Sequence, residues 1–285
     1  MKIIVTGGAG QLGRAFAALA GSFAGQLIIL ESHALDVTNL AQVYSIFHQT
    51  RPDVVIHAAA YTAVDAAEAA PEEAFRVNVI GTRNIAAACL QYDSKLVYLS
   101  SDYVFDGRQS RPYTEFDCPN PLNVYGWSKL EGEFIAARIC PRLFIVRTSW
   151  LYGDGHNFVR TILKLARERE YLTVVNDQTG TPTYAADLAQ GIMALIETDG
   201  FGTYHLSNGG YCTWYDFAQE ILRLAGLPTV VQPLSTGTFA AAALRPRYSV
   251  LRNYMLELSG GDYFRCWQEA LADYIAKMPL GISER

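Results

Sequence analysis

Tyr125 and Lys129 stand four residues apart in YGWSK (125–129), so on a helix they share one face. A phenol beside an ammonium is a pairing that can hand a proton to a carbonyl oxygen under reduction. A free phenol has a pKa of ~10, and bringing it to neutrality means lowering it by roughly 3 units, about 4 kcal/mol. A unit positive charge ~4 Å away supplies about that much at an effective dielectric of ~20. Ser101 adds a hydroxyl that can hold the carbonyl oxygen while the proton is given. The pair alone is a weak signal. With 17 tyrosines and five lysines in 285 residues, chance supplies about 0.3 of such a match. Position in the fold has to decide.

The elements that would position these residues alternate along the chain. Apolar runs KIIVT (2–6), QLIIL (26–30), DVVIHAAA (53–60), KLVYLSS (95–101) and RLFIVRTSW (142–150) read as buried strands. Helical segments lie between them: QLGRAFAALAG, NLAQVYSIF with Thr38 as its N-cap, a helix from about Pro71 to Tyr92, and PLNVYGWSKLEGEFIAA. Such alternation predicts an α/β fold, a Rossmann-like doubly wound parallel sheet covered on both faces. It places Ser101 at the end of strand four and Tyr125 on the helix that follows. Later come a helix near 157–168, LTVV (172–175), a helix in YAADLAQGIMALIE, GTYHLS (202–207), a helix in WYDFAQEILRLAG and one near 267–277. The expected division is a dinucleotide-binding half, 1–147 and 171–203, and a smaller interleaved C-terminal substrate lobe, 148–170 and 204–285. That lobe would sit at the C-terminal ends of the strands, where open α/β sheets bind ligands.

TGGAGQLG (6–13) falls where a dinucleotide loop belongs, after the first strand and opening a helix. Gly7, Gly10 and Gly13 read as G-x-x-G-x-x-G, and Gly8, Gly10 and Gly13 as G-x-G-x-x-G. Glycine permits close approach of the backbone to a pyrophosphate, and the helix N-terminus favours its charge. Glu31 ends the second strand, where an acid holds the ribose 2′-hydroxyl of NAD; it reads equally well as a solvated acid. Arg14 or His33 could offset a 2′-phosphate, so the choice between NADH and NADPH stays open.

A hydrophobic share of 50% in 285 residues supports a large core. A net charge of −5 gives no basic footprint for nucleic acid or an acidic membrane surface. No apolar run is long enough to span a bilayer, and the short apolar N-terminus does not read as a signal peptide. Five widely spaced cysteines without a C-x-x-C pair read as reduced packing thiols, which points to the cytoplasm.

With the glycine loop, the serine ending strand four and Y-x-x-x-K on the next helix, the chain resembles the extended short-chain dehydrogenase/reductase family. NVIGTRN (78–84) is similar to that family's N-V-x-G-T segment, which implies that Asn78 helps hold the lysine. A closer resemblance is to the family of dTDP-4-dehydrorhamnose reductases. GGAGQLG, DVT (36–38), VVIHAAAYTAVDAAE, YLSSDYVFDG, YGWSKLEGE, VRTSWLYG, NFVRTIL, VVNDQTGTPTY, YHLSNGGYCTWYDFA and RPRYSVL carry it nearly end to end. Ser101 departs from the threonine more usual there, and still supplies a hydroxyl.

This resemblance implies hydride transfer from NADPH, with NADH also open, to C4 of a dTDP-4-keto-6-deoxy-L-sugar, Tyr125 protonating the new alkoxide. It implies that Gly7, Gly10, Gln11, Leu12, Gly13, Glu31, Asp36, Val37, Ala58, Ala59, Ala60, Tyr125 and Lys129 border the cofactor. Thr62, Val64, Asp102, Tyr103, Trp150 and Asn157 would border the sugar, and Ser101, Tyr125, Lys129 and Asn78 would carry the catalysis. The expected partner is the sugar nucleotide, with no nucleic acid or membrane, in a monomer or weak homodimer.

Plainer roles compete for several of these residues. Ala58 to Ala60 are also simply small residues at a strand end, and Trp150 suits a core. Asp102 and Asp106 fit a turn in DYVFDG, while Asp65 and Glu68 look like solvated acids at a helix start. His57, inside an apolar strand, reads as a satisfied core histidine, and His156 as a loop residue. Some reductases of this kind hold magnesium through a carboxylate on the helix after the glycine loop. Here that helix has Ala15 and no acid, so no metal is expected. A dehydratase of the wider family would carry Thr-Asp-Glu where this chain has Ser101, Asp102 and Tyr103. An epimerase recycling its NAD, another 4-ketoreductase and a non-catalytic NADP-binding subunit remain the competing functions.

Overall fold

The computed structural model describes residues 1–21, 23–238, 241–261 and 264–278. Strands β1 (Lys2–Thr6), β2 (Gln26–Leu30), β3 (Val54–His57), β4 (Lys95–Ser101) and β5 (Leu143–Thr148) are joined, beyond β6 (Tyr171–Val175), by β7 (Gly202–His205). All but β6 form one six-stranded sheet in the order β7-β5-β4-β3-β1-β2. Every pairing in it is parallel, with Thr6 beside His57 and Ser101 beside Thr148 at the C-terminal ends.

The two-residue period of a strand sends neighbouring residues to opposite faces. Ile3 and Val5 pack with Leu12 and Phe16 of α1 (Gln11–Leu19) and Leu188 and Ile192 of a later helix. Ile4 and Val55 pack instead with Val43 and Phe47 of α2 (Leu40–Thr50). The same layer holds Ile85 of α4 (Thr82–Tyr92), a helix that follows α3 (Val64–Ala69), and Ala136 of α5 (Val124–Ile139). Each fully buried Ile or Leu contributes roughly 1.5–3 kcal/mol, so both layers press helices onto the sheet. Strand order reverses between β1 and β3, and the crevice for a ligand opens at that switch.

A second core lies beyond the sheet, among α6 (Phe158–Glu168), α8 (Trp214–Ala225) and α9 (Trp267–Lys277); α7 (Ala185–Ile196) stays with the main sheet. Tyr171–Val175 was expected with the dinucleotide half. It pairs instead with β8 (Val230–Leu234), and Leu172, Val174 and Val231 enter this second core. The strand alternates exposed and buried residues, the pattern of a sheet with one open face.

Three local expectations are corrected. Asn39, not Thr38, caps α2, its side chain accepting from Gln42 N, while the Thr38 hydroxyl donates to Asp36 Oδ1. The third strand ends at His57, leaving Ala58 to Ala60 as open backbone. The helix expected from Pro71 to Tyr92 is interrupted by a π-helical turn, Arg76–Gly81, which carries Asn78 into the interior. No helix among the described residues is long and apolar enough to cross a membrane.

Candidate active site

Two clefts adjoin at the C-terminal edge of the sheet, sharing Ala58, Ala60 and Thr62. The first, about 490 Å³, is bounded by the glycine turn, Asp36, Val37 and Ala58 to Ala60. Gly7 has φ +73°, and a Cβ there would fall 2.8 Å from Ala59 N. At Gly13 a Cβ would lie 2.6 Å from the Gly7 carbonyl oxygen. The turn therefore folds tightly against β3 and onto its own helix, which leaves a backbone-walled cradle suited to a pyrophosphate. Asp36 accepts from both the backbone N–H and the hydroxyl of Thr38, and these bonds hold its carboxyl below the usual range.

The second cleft, about 400 Å³, gathers Ser101, Asp102, Tyr103, Tyr125, Lys129 and Trp150, with Thr62 and Val64 at its rim. Ser101 closes β4, and Tyr125 and Lys129 come from the first turns of α5, which Asn123 caps through Gly126 N. Glu68 adds a bond from Val124 N, so an acid expected in solvent helps hold the helix start. Tyr125 stands beside Ser101 in this cleft, and the Ser101 hydroxyl donates to Asp102 Oδ1 at 3.1 Å. Tyr103 N–H donates to Ser101 Oγ at 3.2 Å, and the Tyr103 ring meets Tyr125 edge-on at 5.8 Å.

The electrostatics differ from the expectation. Burial pushes the Tyr125 phenol up to about 12, with the neighbouring Ser101 pulling partway back. Lys129, expected to lower it, is itself pushed down to about 7 by burial, against the pull of Glu133. Its Nζ lies 4.3 Å from the centre of the Tyr98 ring. Asp102 is pushed up to about 7 by burial, with Ser249 and Ser101 pulling it back. A site this desolvated favours neutral groups until a charged ligand enters.

Among the described residues no direct hydrogen bond joins Asn78 to Lys129. The Asn78 side chain accepts from Tyr61 N at 2.8 Å and donates to Ser128 Oγ at 2.8 Å, and Ser128 bonds the Tyr125 carbonyl. It thus ties the loop after β3 to the helix turn that carries both reactive side chains.

Other expected residues lie elsewhere. Leu12 is buried in the core beneath β1 and lines neither of these two clefts. Glu31 turns toward His33, 3.6 Å away, and Ser32 takes the place beside the first cleft. Asn157 is spent as a structural residue, capping α6 through Arg160 N and donating to Gly153 O and Tyr274 Oη. Asp65 pairs with Arg245 at 2.6 Å, which corrects its reading as a solvated acid. Asp106 accepts from Tyr113, Asn120 and the Arg108 backbone in its turn. His57 is a satisfied core histidine, between Thr6 and Thr82. His156 is exposed in its loop.

Several lining residues escape sequence reasoning, and four of them bear on ligand binding. Ser32, Thr38 and Arg76 edge the first cleft, with the Arg76 guanidinium donating to Thr38 Oγ1 at 2.7 Å. Trp214, far along the chain, enters the second cleft and stacks on Trp150 with ring centres 3.5 Å apart. No spacing links it to Trp150; only the fold brings them together. Among the described residues no cluster of three or more His, Cys, Asp or Glu could hold a metal ion.

A family model described as RmlD substrate binding domain matches residues 1–279. A dTDP-4-dehydrorhamnose reductase of Aggregatibacter actinomycetemcomitans is 39% identical, over 95% of this chain and 97% of its own length. The crystal structure of a dTDP-4-dehydrorhamnose reductase from Clostridium acetobutylicum superposes with a TM-score of 0.95 at 46% identity, covering 97% of this chain and 99% of that one. A dTDP-4-dehydrorhamnose reductase from Bacillus anthracis, solved in complex with NADP, gives 0.94 at 43% identity, covering 98% and 100%. The likeness runs through both cores and both clefts, and this chain belongs to the dTDP-4-dehydrorhamnose reductase family.

Proposed function

We propose that the protein reduces the C4 ketone of dTDP-4-dehydro-L-rhamnose with NADPH and releases dTDP-L-rhamnose. The observation that carries the reading is the grouping of Ser101, Tyr125 and Lys129 in the cleft that adjoins the glycine-turn cradle. Full-length kinship with dTDP-4-dehydrorhamnose reductases, one of them bound to NADP, supports the substrate and the cofactor. The cofactor also fits the chain itself. Gly7 and Gly10 would face its pyrophosphate, and Ser32, Thr38 and Arg76 would offer hydroxyls and a cation to a 2′-phosphate. The half spanning 1–147 would bind the cofactor, and the C-terminal lobe the sugar nucleotide.

Held over the cradle of Gly7 and Gly10, NADPH would supply a hydride to the carbonyl carbon. The π electrons move to oxygen, and Tyr125 gives that oxygen its hydroxyl proton; the phenolate then takes a proton from water. A phenol held at about 12 is fully protonated at neutral pH, the state an acid needs. A secondary alkoxide is the stronger base, so the transfer runs downhill. The Ser101 hydroxyl, which bonds Asp102 in the free protein, would turn to the ketone oxygen and hold it for the transfer.

Tyr125→Phe removes the proton donor and little else. Its turnover should fall by a factor of about 10² to 10⁴, while the NADPH Kd stays within about twofold. Turnover kept within tenfold of the parent would sink the assignment.

A further inference from the structure

Trp150 holds a backbone conformation that large side chains avoid, with φ +45°. Such strain costs about 1–3 kcal/mol and persists only where surrounding structure over-determines it. Three contacts do so here. The Trp150 carbonyl accepts from Thr183 N at 3.2 Å. Its indole stacks on Trp214, ring centres 3.5 Å apart and planes within 7°. Gly180 packs so closely that a Cβ there would fall 2.4 Å from Trp150 Cε2 and 2.6 Å from Nε1.

The two flanking residues are themselves joined. Thr179–Gly180 pairs antiparallel with Cys212–Thr213, and Trp214 follows at once as the first residue of α8. A reciprocal capping box between Thr213 and Asp216 fixes that helix start. Phe158 braces the Trp214 ring from α6, with centres 4.5 Å apart. Both tryptophans line the cleft that holds Tyr125 and Lys129.

From this convergence we infer that Trp214 and Gly180 are positioning residues for Trp150, and that the clamped indole pair is the wall against which the apolar face of a 6-deoxy keto sugar is seated. The inference rests on the proposed substrate class and adds residues to it. A flat aromatic wall matches the C–H face and C6 methyl group of a deoxyhexose. It offers no acceptor for the hydroxyl that a C6 hydroxymethyl group would bring.

The test separates this wall from the reaction it serves. Trp214→Ala should raise the KM for the keto sugar nucleotide by about tenfold, the scale of one lost aromatic stack, with an unchanged NADPH Kd. Gly180→Ala should reproduce that effect by pushing the Trp150 indole aside. Trp214→Phe keeps a ring on Trp150 and should restore the KM to within about threefold of the parent. Stacked indoles give a far-ultraviolet circular dichroism couplet. That couplet should be present in the parent, change when dTDP-L-rhamnose is added, and be absent from Trp214→Phe. A folded Trp214→Ala with parental KM, or a couplet indifferent to the sugar nucleotide, overturns the inference. Absence of turnover in the parent, with the couplet still responding to dTDP-L-rhamnose, overturns the proposed reaction and leaves the wall standing.

Discussion

Burial pulls the Lys129 ammonium down to about 7, and the Glu133 carboxylate one turn along α5 pulls the other way. Glu133 is itself fixed, accepting from Ser100 Oγ at 2.5 Å and from the Arg147 guanidinium at 2.9 and 2.6 Å. Lys129 is charged below its pKa and neutral above it. If its charge serves the anionic cofactor and the developing alkoxide, kcat/KM should fall as pH rises through about 7. Glu133→Gln removes the pull that keeps the lysine charged, so this basic limb should move to lower pH. A limb that stays in place, or moves up, contradicts the coupling. Spacing singled out Tyr125 and Lys129, because a helix repeats every 3.6 residues and puts them on one face, and their place on the helix after strand four gave the pair its weight. It suggested the wrong direction for the phenol, because desolvation is a property of the closed fold. Asn157 misled for a related reason: an asparagine before a helix is as good a cap as a sugar ligand, and here the cap took it.

Elements that pack on two apolar neighbours were the easiest to read. All six strands of the main sheet except Gly202–His205 are nearly uninterrupted apolar runs, and their parallel pairing follows from the helices between them. The π-helical turn at Arg76–Gly81 left no such trace, since one extra residue in a turn does not alter the apolar pattern around it. Its consequence is an Asn78 that fastens α5 to the loop after β3. Nearby, His57 ties β1 to α4 through Thr6 at 2.8 Å and Thr82 at 3.2 Å. Burial first, and Lys129 second, push His57 down to about 3 from its ordinary 6.5. Between those values the unfolded chain binds the proton and the folded chain does not, so this tie loses stability as pH falls from 6.5 toward 3. Asp102, pushed up to about 7, acts in the opposite sense over part of that window. A difference measurement isolates the histidine. Urea unfolding at pH 6.5 and 5 should show a mean pH slope smaller in His57→Gln than in the parent by about 1 kcal/mol per pH unit. Equal slopes would mean that His57 is protonated in the folded state.

At the scale of the molecule, two cores meet along a crevice, one built on the parallel sheet and one on α6, α8, α9 and the β6–β8 pair. The chain passes between them more than once: β7 returns to the main sheet after β6 has left it. Tyr171–Val175 alternates like any half-buried strand, and nothing in its own sequence says which core it joins. The same interleaving brings Trp150 and Trp214 to a cleft whose reactive groups come from β4 and α5. A reductase built this way consumes its nicotinamide, whereas an epimerase on the same frame returns it. The most direct test is therefore stoichiometry. The purified protein is mixed with limiting, freshly generated dTDP-4-dehydro-L-rhamnose and excess NADPH, with the oxidised cofactor and the sugar product both quantified. One NADPH oxidised per dTDP-L-rhamnose formed is the predicted result. Conversion of the keto sugar without net NADPH oxidation, or no conversion by a protein that still binds NADPH, would contradict it.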